Sequence, residues 1–197
     1  MNAKTLTLRA ALPRDIPDLA RIANAAFGGF GQVMYEEAVP GRSALDLLEH
    51  RFSRAHTSGS LTNSHIAEME KRVVGGLHAF PADWEAKDPP DLLIPAEREP
   101  YFAPFVGLEA SSSYYINAVT VFEPFQGRGI ARQLMDFAED LARGKGFNQT
   151  SLHVFAENGP AIRLYERRGY REAGRNPLVP HPALQFRGDL LLLVKDL

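Results

Sequence analysis

A mixed α/β (α+β) fold in a single domain is the class that the sequence predicts, and three observations support it. The chain has 197 residues, the size of one domain or of one domain with an elaborated insertion. Short β-prone runs alternate along it with amphipathic helical segments. Residues 114–132 also read as an apolar strand, a glycine turn and a strongly periodic helix in direct succession.

The N-terminal part of the chain predicts one strand and two helices. Residues 5–11 alternate apolar and polar side chains, as a strand with one buried face does. Residues 15–27 carry apolar side chains at helical spacing, and two glycines end that helix. We expect a surface loop over residues 30–42, which have no clear period, and a second helix over residues 43–55.

A hairpin and an irregular segment come next. Residues 64–69 and 73–80 predict the two strands of the hairpin, with a bulge at Gly75-Gly76 in the second strand. Residues 81–113 contain six prolines among scattered aromatic and acidic side chains, which is too broken a pattern for long regular elements. We expect this Pro-rich segment to be a loop insertion that covers a substrate site.

The C-terminal half predicts alternating strands and helices. Asn158 precedes one of the helices and suits an N-cap, because its side-chain oxygen can accept a bond from the first turn. The predicted elements are a strand at 114–122, a helix at 130–142, a strand at 150–155, a helix at 159–168, and strands at 170–173 and 189–196.

Composition argues against several classes of protein. A net charge of -2 disfavours a general nucleic-acid binder, and no apolar run reaches the roughly 18 residues of a membrane span. The absence of cysteine excludes disulfides, thiolate metal ligands and a cysteine nucleophile. No metal-ligand spacing of histidines appears, so we predict no metal, and we expect a structural role for His153 in mid-strand. The N-terminus lacks the apolar core of a signal peptide, and we expect a cytoplasmic protein.

The glycine turn before the helix at 130–142 predicts an anion site. The first N–H groups of a helix have no internal partner and favour a negative ligand. Gly127 and Gly129 permit positive φ angles and a close approach of the ligand. A P-loop is excluded because Ile130 stands where its lysine belongs. A dinucleotide-binding turn, which would have a third glycine where Arg132 stands, and a turn whose glycines serve geometry alone stay open.

Two motifs in the C-terminal half resemble the GCN5-related N-acetyltransferase (GNAT) superfamily. They read Gln126-x-x-Gly129-x-Ala131 and Asn158-x-x-Ala161-x-x-x-Tyr165-x-x-x-Gly169-Tyr170. The resemblance covers residues 114–170 closely and, through the order of elements, most of the chain. It implies a three-layer fold with a central, mostly antiparallel twisted sheet, in which one parallel strand pair is splayed, flanked by helices.

The resemblance also implies acetyl-CoA as the co-substrate and assigns residues to it. In the family, N–H groups of the glycine turn hold the pyrophosphate, and the strand before the turn lends backbone groups to the pantetheine arm. The asparagine that matches Asn158 bonds to a pantetheine amide. Side chains of Arg128 and Arg132 either reach toward the phosphates or are simply solvated. The implied cofactor-binding residues are Asn117, Val119, Val121, Gln126, Gly127, Arg128, Gly129, Ile130, Ala131, Arg132, Asn158 and Tyr165.

Tyr165 is the catalytic acid that the resemblance implies. It shares a helix face with Asn158, and a phenol with a pKa near ~10 stays protonated and can donate to a departing thiolate. Packing alone is the other interpretation of this side chain. Histone-directed members of the family carry a glutamate base where Ser113 stands, and we predict Glu109 as its catalytic substitute. Carboxylates that could act through water are Glu36, Glu37, Glu97 and Glu99.

The resulting functional prediction is transfer of an acetyl group from acetyl-CoA to a primary amine of a small molecule. No nucleic acid or membrane partner is expected, and a homodimer is left open. The alternatives are a non-catalytic acyl-CoA sensor or interaction module, a protein N-terminal acetyltransferase and an NAD-type oxidoreductase. The aromatic side chains of the Pro-rich segment either line an acceptor pocket or dock onto the core; they are Trp84, Tyr101, Phe102 and Phe105.

Overall fold

The computed structural model describes residues 5–197, within which seven strands form one sheet. Residues 1–4 lie outside the described part; they belong to the N-terminal segment that is expected not to be a signal peptide. The strands are β1 Leu6–Ala10, β2 Ser64–Met69, β3 Arg72–Pro81, β4 Tyr114–Val121, β5 Gln149–Phe155, β6 Arg171–Pro177 and β7 Asp189–Asp196. The helices are α1 Ile16–Ala26, α2 Phe30–Tyr35, α3 Ala44–Ser53, α4 Ile130–Gly144 and α5 Gly159–Glu166.

The sheet runs in the order β1-β2-β3-β4-β5-β7-β6, and every neighbouring pair is antiparallel except β4 and β5. The parallel ladder between β4 and β5 has only two register pairs, Tyr114 with Thr150 and Tyr115 with Ser151. Beyond these pairs the two strands separate. The structure therefore confirms the predicted mixed fold with a mostly antiparallel sheet and one splayed parallel pair.

Helices cover both faces of the sheet. On one face, Leu134 and Met135 of α4 join a buried cluster with Leu152 of β5, and side chains of α5 pack against that cluster. On the other face, Ile22 of α1 packs with Ile66 of β2, and α2 and α3 lie outside them. This arrangement gives the three predicted layers, with the β4–β5 split in the central sheet.

Two irregularities bend the strands near the split. The register between β2 and β3 shifts so that Val74 lacks a partner, one residue before the predicted bulge at Gly75-Gly76. Both glycines are needed for close approach: a Cβ on Gly75 would lie 2.3 Å from the Thr120 carbonyl oxygen, and one on Gly76 would lie 2.7 Å from a methyl of Ile22. A second shift leaves Asn117 of β4 without a partner on β3. A bulge at this point increases the local twist and carries β4 away from β5.

The expectation of a loop over residues 30–42 is wrong for its first half. Residues Phe30–Tyr35 form α2, because Val33, Met34 and Tyr35 are buried against α3 in one apolar cluster. The short length of this helix hides its period in the sequence.

The Pro-rich segment is irregular, as predicted, but it is packed onto the domain. It contains two 3-10 helices, Ala82–Lys87 and Ala96–Phe102, and it buries Leu108 against β5 and β7. Within residues 5–197, no helix combines the length and apolar character needed to cross a bilayer, and no group of three His, Asp or Glu side chains is placed to hold a metal ion.

Candidate functional site

The glycine turn opens the N-terminus of α4 toward free space. Gly127 and Gly129 have φ angles of 73° and 77°, and a Cβ added to either would meet nothing within 4 Å. Gly129 is the N-cap of α4, without a side-chain cap and without an acidic residue in the first turn. The first N–H groups of α4 are therefore left for an anion, which the positive end of the helix dipole also favours.

Side chains around the turn tie it to β4 and add positive charge. Gln126 Nε2 donates to the Val121 carbonyl oxygen over 2.9 Å, which joins the turn to the end of the strand. Arg128 lies over the Phe125 ring at 5.5 Å. Arg132 is exposed and borders a smaller cavity of about 510 Å³, which is also lined by Arg163 of α5 and by the acidic side chains of Asp136 and Glu139. The turn thus combines uncapped N–H groups with nearby arginines.

The edge of β4 that faces the split carries backbone groups without a strand partner. The Phe122 N–H donates to the Val74 carbonyl oxygen over 2.8 Å, on the β3 side. Because successive strand residues direct their backbone groups to alternate edges, those of Val121 and Val119 face β5. The ladder to β5 has already ended at Tyr115, so the sheet leaves the N–H groups of Val119 and Val121 unused.

Asn158 and Tyr165 lie on α5. Asn158 Oδ1 accepts from the Ala161 N–H over 3.3 Å, which is the N-cap that the sequence predicts, and its Nδ2 bonds to no group within residues 5–197. Tyr165 is half-buried, and its hydroxyl likewise makes no hydrogen bond inside the described part of the chain. Burial raises the pKa of the Tyr165 phenol to about 12. The phenol is therefore protonated at neutral pH and has a proton to donate.

A cavity of about 690 Å³ lies on the opposite face of the sheet, between α1, α2 and the Pro-rich segment. We call it the aromatic cavity. Glu109 and Asn117 line it, and Tyr165 does not. Phe102 and Phe105 of the Pro-rich segment also line it, whereas Trp84 and Tyr101 are not part of its wall. The aromatic rings of the wall belong to Phe27, Phe30, Phe102, Phe105, Tyr115, His153 and Phe155.

A chain of hydrogen bonds crosses the floor of the aromatic cavity. His153 Nε2 lies 2.7 Å from the Leu108 carbonyl oxygen, which can only accept, so Nε2 carries the proton. His153 Nδ1 therefore accepts from the Tyr115 hydroxyl at 2.9 Å, and Asn117 Nδ2 reaches the same hydroxyl at 3.5 Å. Burial lowers the pKa of His153, which keeps the ring neutral. The histidine is satisfied structurally, as predicted, and it also faces the cavity.

Three carboxylates and two cations line the same cavity: Asp83, Glu85 and Glu109 with Arg51 and Lys87. Lys87 pairs with Asp83, and Arg51 Nη2 stands 3.8 Å from Glu85 Oε1. The Glu85 side chain keeps 55% of its accessible surface, yet desolvation by the surrounding protein raises its pKa; Arg51 opposes this shift, and the charges of Asp88 and Glu109 add to it. Glu109 forms no ion pair within residues 5–197.

The other predicted bases lie elsewhere. Ser113 is fully buried, with its Oγ 2.7 Å from the Ala110 carbonyl oxygen and 2.6 Å from Ser151 Oγ, so it cannot reach a ligand. The four carboxylates considered for a water relay do not line the aromatic cavity; they are Glu36, Glu37, Glu97 and Glu99.

Sequence reasoning missed Glu85 and the pair formed by Tyr115 and His153. One signal was available for the pair. Leu152 and Val154 alternate with His153 along β5, so the histidine had to lie on the face opposite the α4 cluster. No sequence signal distinguishes Glu85 from the other acids of the Pro-rich segment.

Residues 24–170 match the model of the family described as Acetyltransferase (GNAT) family. Among curated proteins, the uncharacterized N-acetyltransferase YycN of Bacillus subtilis (strain 168) is 42% identical over 52 residues, or 26% of this chain and 33% of that protein. The acetyltransferase Atu2258 of Agrobacterium fabrum (strain C58) is 32% identical over 111 residues, or 55% of this chain and 80% of that protein. The matched stretch thus spans about a third of the first relative and four fifths of the second.

A solved structure also resembles the chain along most of its length. The N-acetyltransferase from Staphylococcus aureus Mu50 superposes with a TM-score of 0.70 at 22% sequence identity. The superposition covers 96% of this chain and 100% of that one, and it establishes a shared fold.

Proposed function

Because the chain belongs to the acetyltransferase (GNAT) family, we propose that it binds acetyl-CoA in the β4–β5 split and transfers the acetyl group to a primary amine of a small molecule. The observation that carries this proposal is the split itself. The uncapped N-terminus of α4 follows β4, whose N–H groups at Val119 and Val121 pair with no strand, and α5 follows β5 and carries Asn158 and Tyr165, whose donors have no partner within residues 5–197.

Each part of the coenzyme has a chemically suitable counterpart along the split. The pyrophosphate meets the N–H groups from Gly127 to Ala131, with Arg128 and Arg132 as the nearby cations. The amides of the pantetheine arm extend the sheet by pairing with the free edge of β4 at Val119 and Val121. Asn158 keeps its Oδ1 on the helix and offers Nδ2 to the arm.

The chemical step joins the two faces of the sheet through the split. A neutral amine in the aromatic cavity attacks the thioester carbonyl carbon, and a new C–N bond forms as the carbonyl oxygen becomes negative. The N–H of Val119 stabilises that oxygen. The C–S bond then breaks, the thiolate takes the proton of Tyr165, and the proton lost by the amine passes to Glu109.

The carboxylates of the aromatic cavity support this division of roles. Glu109 has no ion-pair partner in the described chain and borders the space that the amine would occupy. A carboxylate placed there can attract the ammonium form and take up its proton directly or through water. Glu85, on the same wall, is the second candidate for the base.

The size of the aromatic cavity favours a small acceptor. A volume of about 690 Å³ lies within the range of small-molecule sites, roughly 300–1,000 Å³. Residues of the Pro-rich insertion, among them Phe102, Phe105 and Glu109, form part of its wall. The non-catalytic sensor keeps coenzyme binding without transfer, so the two proposals differ only in the release of free thiol.

Calorimetric titration with acetyl-CoA tests the coenzyme half of the proposal. We expect one molecule bound per chain with a Kd in the micromolar range, and no heat from NAD at the same concentrations. Absence of acetyl-CoA binding at high micromolar ligand would refute the proposal. Binding without thiol release from a broad panel of amines would establish the sensor instead.

A further inference from the structure

Five of the seven rings in the wall of the aromatic cavity form one continuous set of ring contacts. Phe30 of α2 lies 5.5 Å from Phe102 and 5.1 Å from Phe105, centroid to centroid. Phe105 lies 5.4 Å from His153, which in turn stacks edge to face with Tyr115 at 5.3 Å. These rings come from α2, the Pro-rich segment, β4 and β5, so the fold brings them together from distant parts of the chain. Such a wall matches a flat apolar ligand, since ring pairs at these distances favour tilted and edge-to-face packing.

Two carboxylates, Glu85 and Glu109, line the same space. Glu109 forms no ion pair in the described part of the chain, and the ion pair of Glu85 with Arg51 is a long one, at 3.8 Å. An ammonium group placed between the two carboxylates would supply a cation to Glu109.

The cations of the cavity are already compensated by protein groups. Lys87 is paired with Asp83. Arg51 is paired with Glu85, in the longer of the two ion pairs. Three carboxylates therefore line the cavity beside two cations, and Glu109 is the carboxylate without an ion pair in the described part of the chain. A carboxylate on the acceptor would meet this excess of like charge.

We propose that the acceptor is a primary amine carried on an aromatic body without a carboxylate, an arylalkylamine, with the ring against Phe30 and Phe105 and the ammonium between Glu85 and Glu109. The inference rests on the proposed acetyl transfer and specifies its substrate class. It excludes free amino acids, polyamines and peptide N-termini as preferred acceptors, because these lack the aromatic body or add charges that the cavity cannot pair.

Matched amines test the proposal with the whole chain and acetyl-CoA. 2-Phenylethylamine is compared with ethylamine, which lacks the ring, and with L-phenylalanine, which adds only a carboxylate; spermidine, lysine and a short peptide complete the panel. We expect kcat/KM to fall about 10- to 100-fold without the ring, as burial of an aromatic side chain predicts, and at least about tenfold with the carboxylate. An equal or higher kcat/KM for ethylamine, phenylalanine, spermidine, lysine or the peptide would overturn the proposal while leaving acetyl transfer intact.

A direct binding measurement distinguishes the proposed acceptor class from the proposed acetyl transfer. 2-Phenylethylamine is titrated calorimetrically into the protein saturated with CoA, so that no turnover is needed. Binding without acetylation would support the acceptor class and refute acetyl transfer. Absence of binding, with phenylalanine or spermidine bound instead, would refute the acceptor class.

A substitution in the wall provides the structural control. We expect Phe105→Leu to lower the preference for 2-phenylethylamine over ethylamine about threefold to tenfold, because one aromatic contact is lost. Trp84→Leu changes an aromatic residue of the same Pro-rich segment that is 43% exposed and outside the cavity wall, and it should leave the preference unchanged. An equal effect of both substitutions, or an unchanged preference in Phe105→Leu, would contradict the placement of the ring.

Discussion

The Tyr115 hydroxyl donates a hydrogen bond to His153 Nδ1 over 2.9 Å, and this bond joins β4 to β5 beyond the last backbone pair of the two strands. The pair of strands is thus held by side chains on the cavity face where the ladder has already opened. The side-chain bond therefore keeps β4 and β5 attached to each other at the point where their backbones separate, and it leaves the gap between the backbones open.

Tyr115→Phe should lower the free energy of unfolding by about 1–3 kcal/mol, because it leaves His153 Nδ1 buried and unpaired. It should also raise the KM for the amine, since the floor of the cavity loses its fixed geometry. Urea denaturation and steady-state kinetics measure the two effects. The matched control is Tyr114→Phe, which removes a hydroxyl bonded to the Ala79 carbonyl oxygen at 3.0 Å. It should lose stability without a change in KM, and equal KM values in both variants would argue against the bridging role.

Tyr165→Phe should reduce kcat about 100-fold and leave the Kd for acetyl-CoA within about twofold, because only the proton donor is lost. Tyr170→Phe is the control, since its ring lies 5.8 Å from Tyr165 and its hydroxyl bonds to Thr150 inside the core. That variant should lose stability and keep its turnover. A parallel loss of affinity and turnover in Tyr165→Phe would make the residue a packing group.

Gly129→Ala should weaken acetyl-CoA binding at least about tenfold, because a Cβ at the turn strains a residue with φ of 77° and stands in the path of the phosphates. Gly146→Ala is matched in strain, with φ of 83° and no atom within 4 Å of the added Cβ, but it lies at the other end of α4. Both substitutions should lower Tm by similar amounts. Unchanged affinity in Gly129→Ala, measured by calorimetry, would place the pyrophosphate elsewhere.

Glu109→Gln should reduce kcat/KM for amines more than tenfold, and the double substitution with Glu85→Gln should reduce it further. The reason is that both carboxylates attract the ammonium and one takes its proton. Glu97→Gln, in the same Pro-rich segment but away from the cavity wall, should behave like the parent protein. If Glu109→Gln and the double variant both keep the kcat/KM of the parent protein, the base lies outside this cavity.

His78 should make the fold sensitive to acid. Burial lowers its pKa from 6.5 to about 3, its Nδ1 bonds to Ser64 Oγ, and its Nε2 is buried without a hydrogen-bond partner among residues 5–197. The unfolded chain therefore binds one more proton between these two pH values. The contribution of His78 to the free energy of unfolding is fully present above pH 6.5. It is lost as the pH falls toward 3, at up to ~1.4 kcal/mol per pH unit.

His78→Gln should flatten that part of the pH profile in chemical denaturation experiments. His50→Gln, at an exposed position of α3, serves as the control and should keep the slope of the parent protein. An unaltered slope in His78→Gln would assign the acid sensitivity to other groups.

The parts of the site that depend on local geometry could be predicted from the sequence. Gly129 predicts a helix start without a side-chain cap, and Asn158 predicts an N-cap, because both roles are decided by residues within one turn. The strands and α4 follow from periodicity for the same reason. The structure extends these predictions by placing the turn and α5 on either side of one split.

The rest depends on long-range register, which periodicity does not report. The bulge at Asn117 arises from the pairing of β4 with β3, and the Tyr115–His153 bond requires two strands to be neighbours although 38 residues separate them. Glu85 belongs to a segment whose fold depends on packing against distant elements. These contacts form only in the complete sheet, and sequence patterns within single elements could not reveal them.

The most direct test of acetyl transfer mixes the protein with carbon-13 acetyl-CoA and 2-phenylethylamine and follows both products by mass spectrometry and thiol titration. We expect the label on the amine nitrogen, with one free CoA thiol for each acetylated amine. Label that stays on the coenzyme with this and every other amine, under conditions where calorimetry shows acetyl-CoA bound, would contradict acetyl transfer.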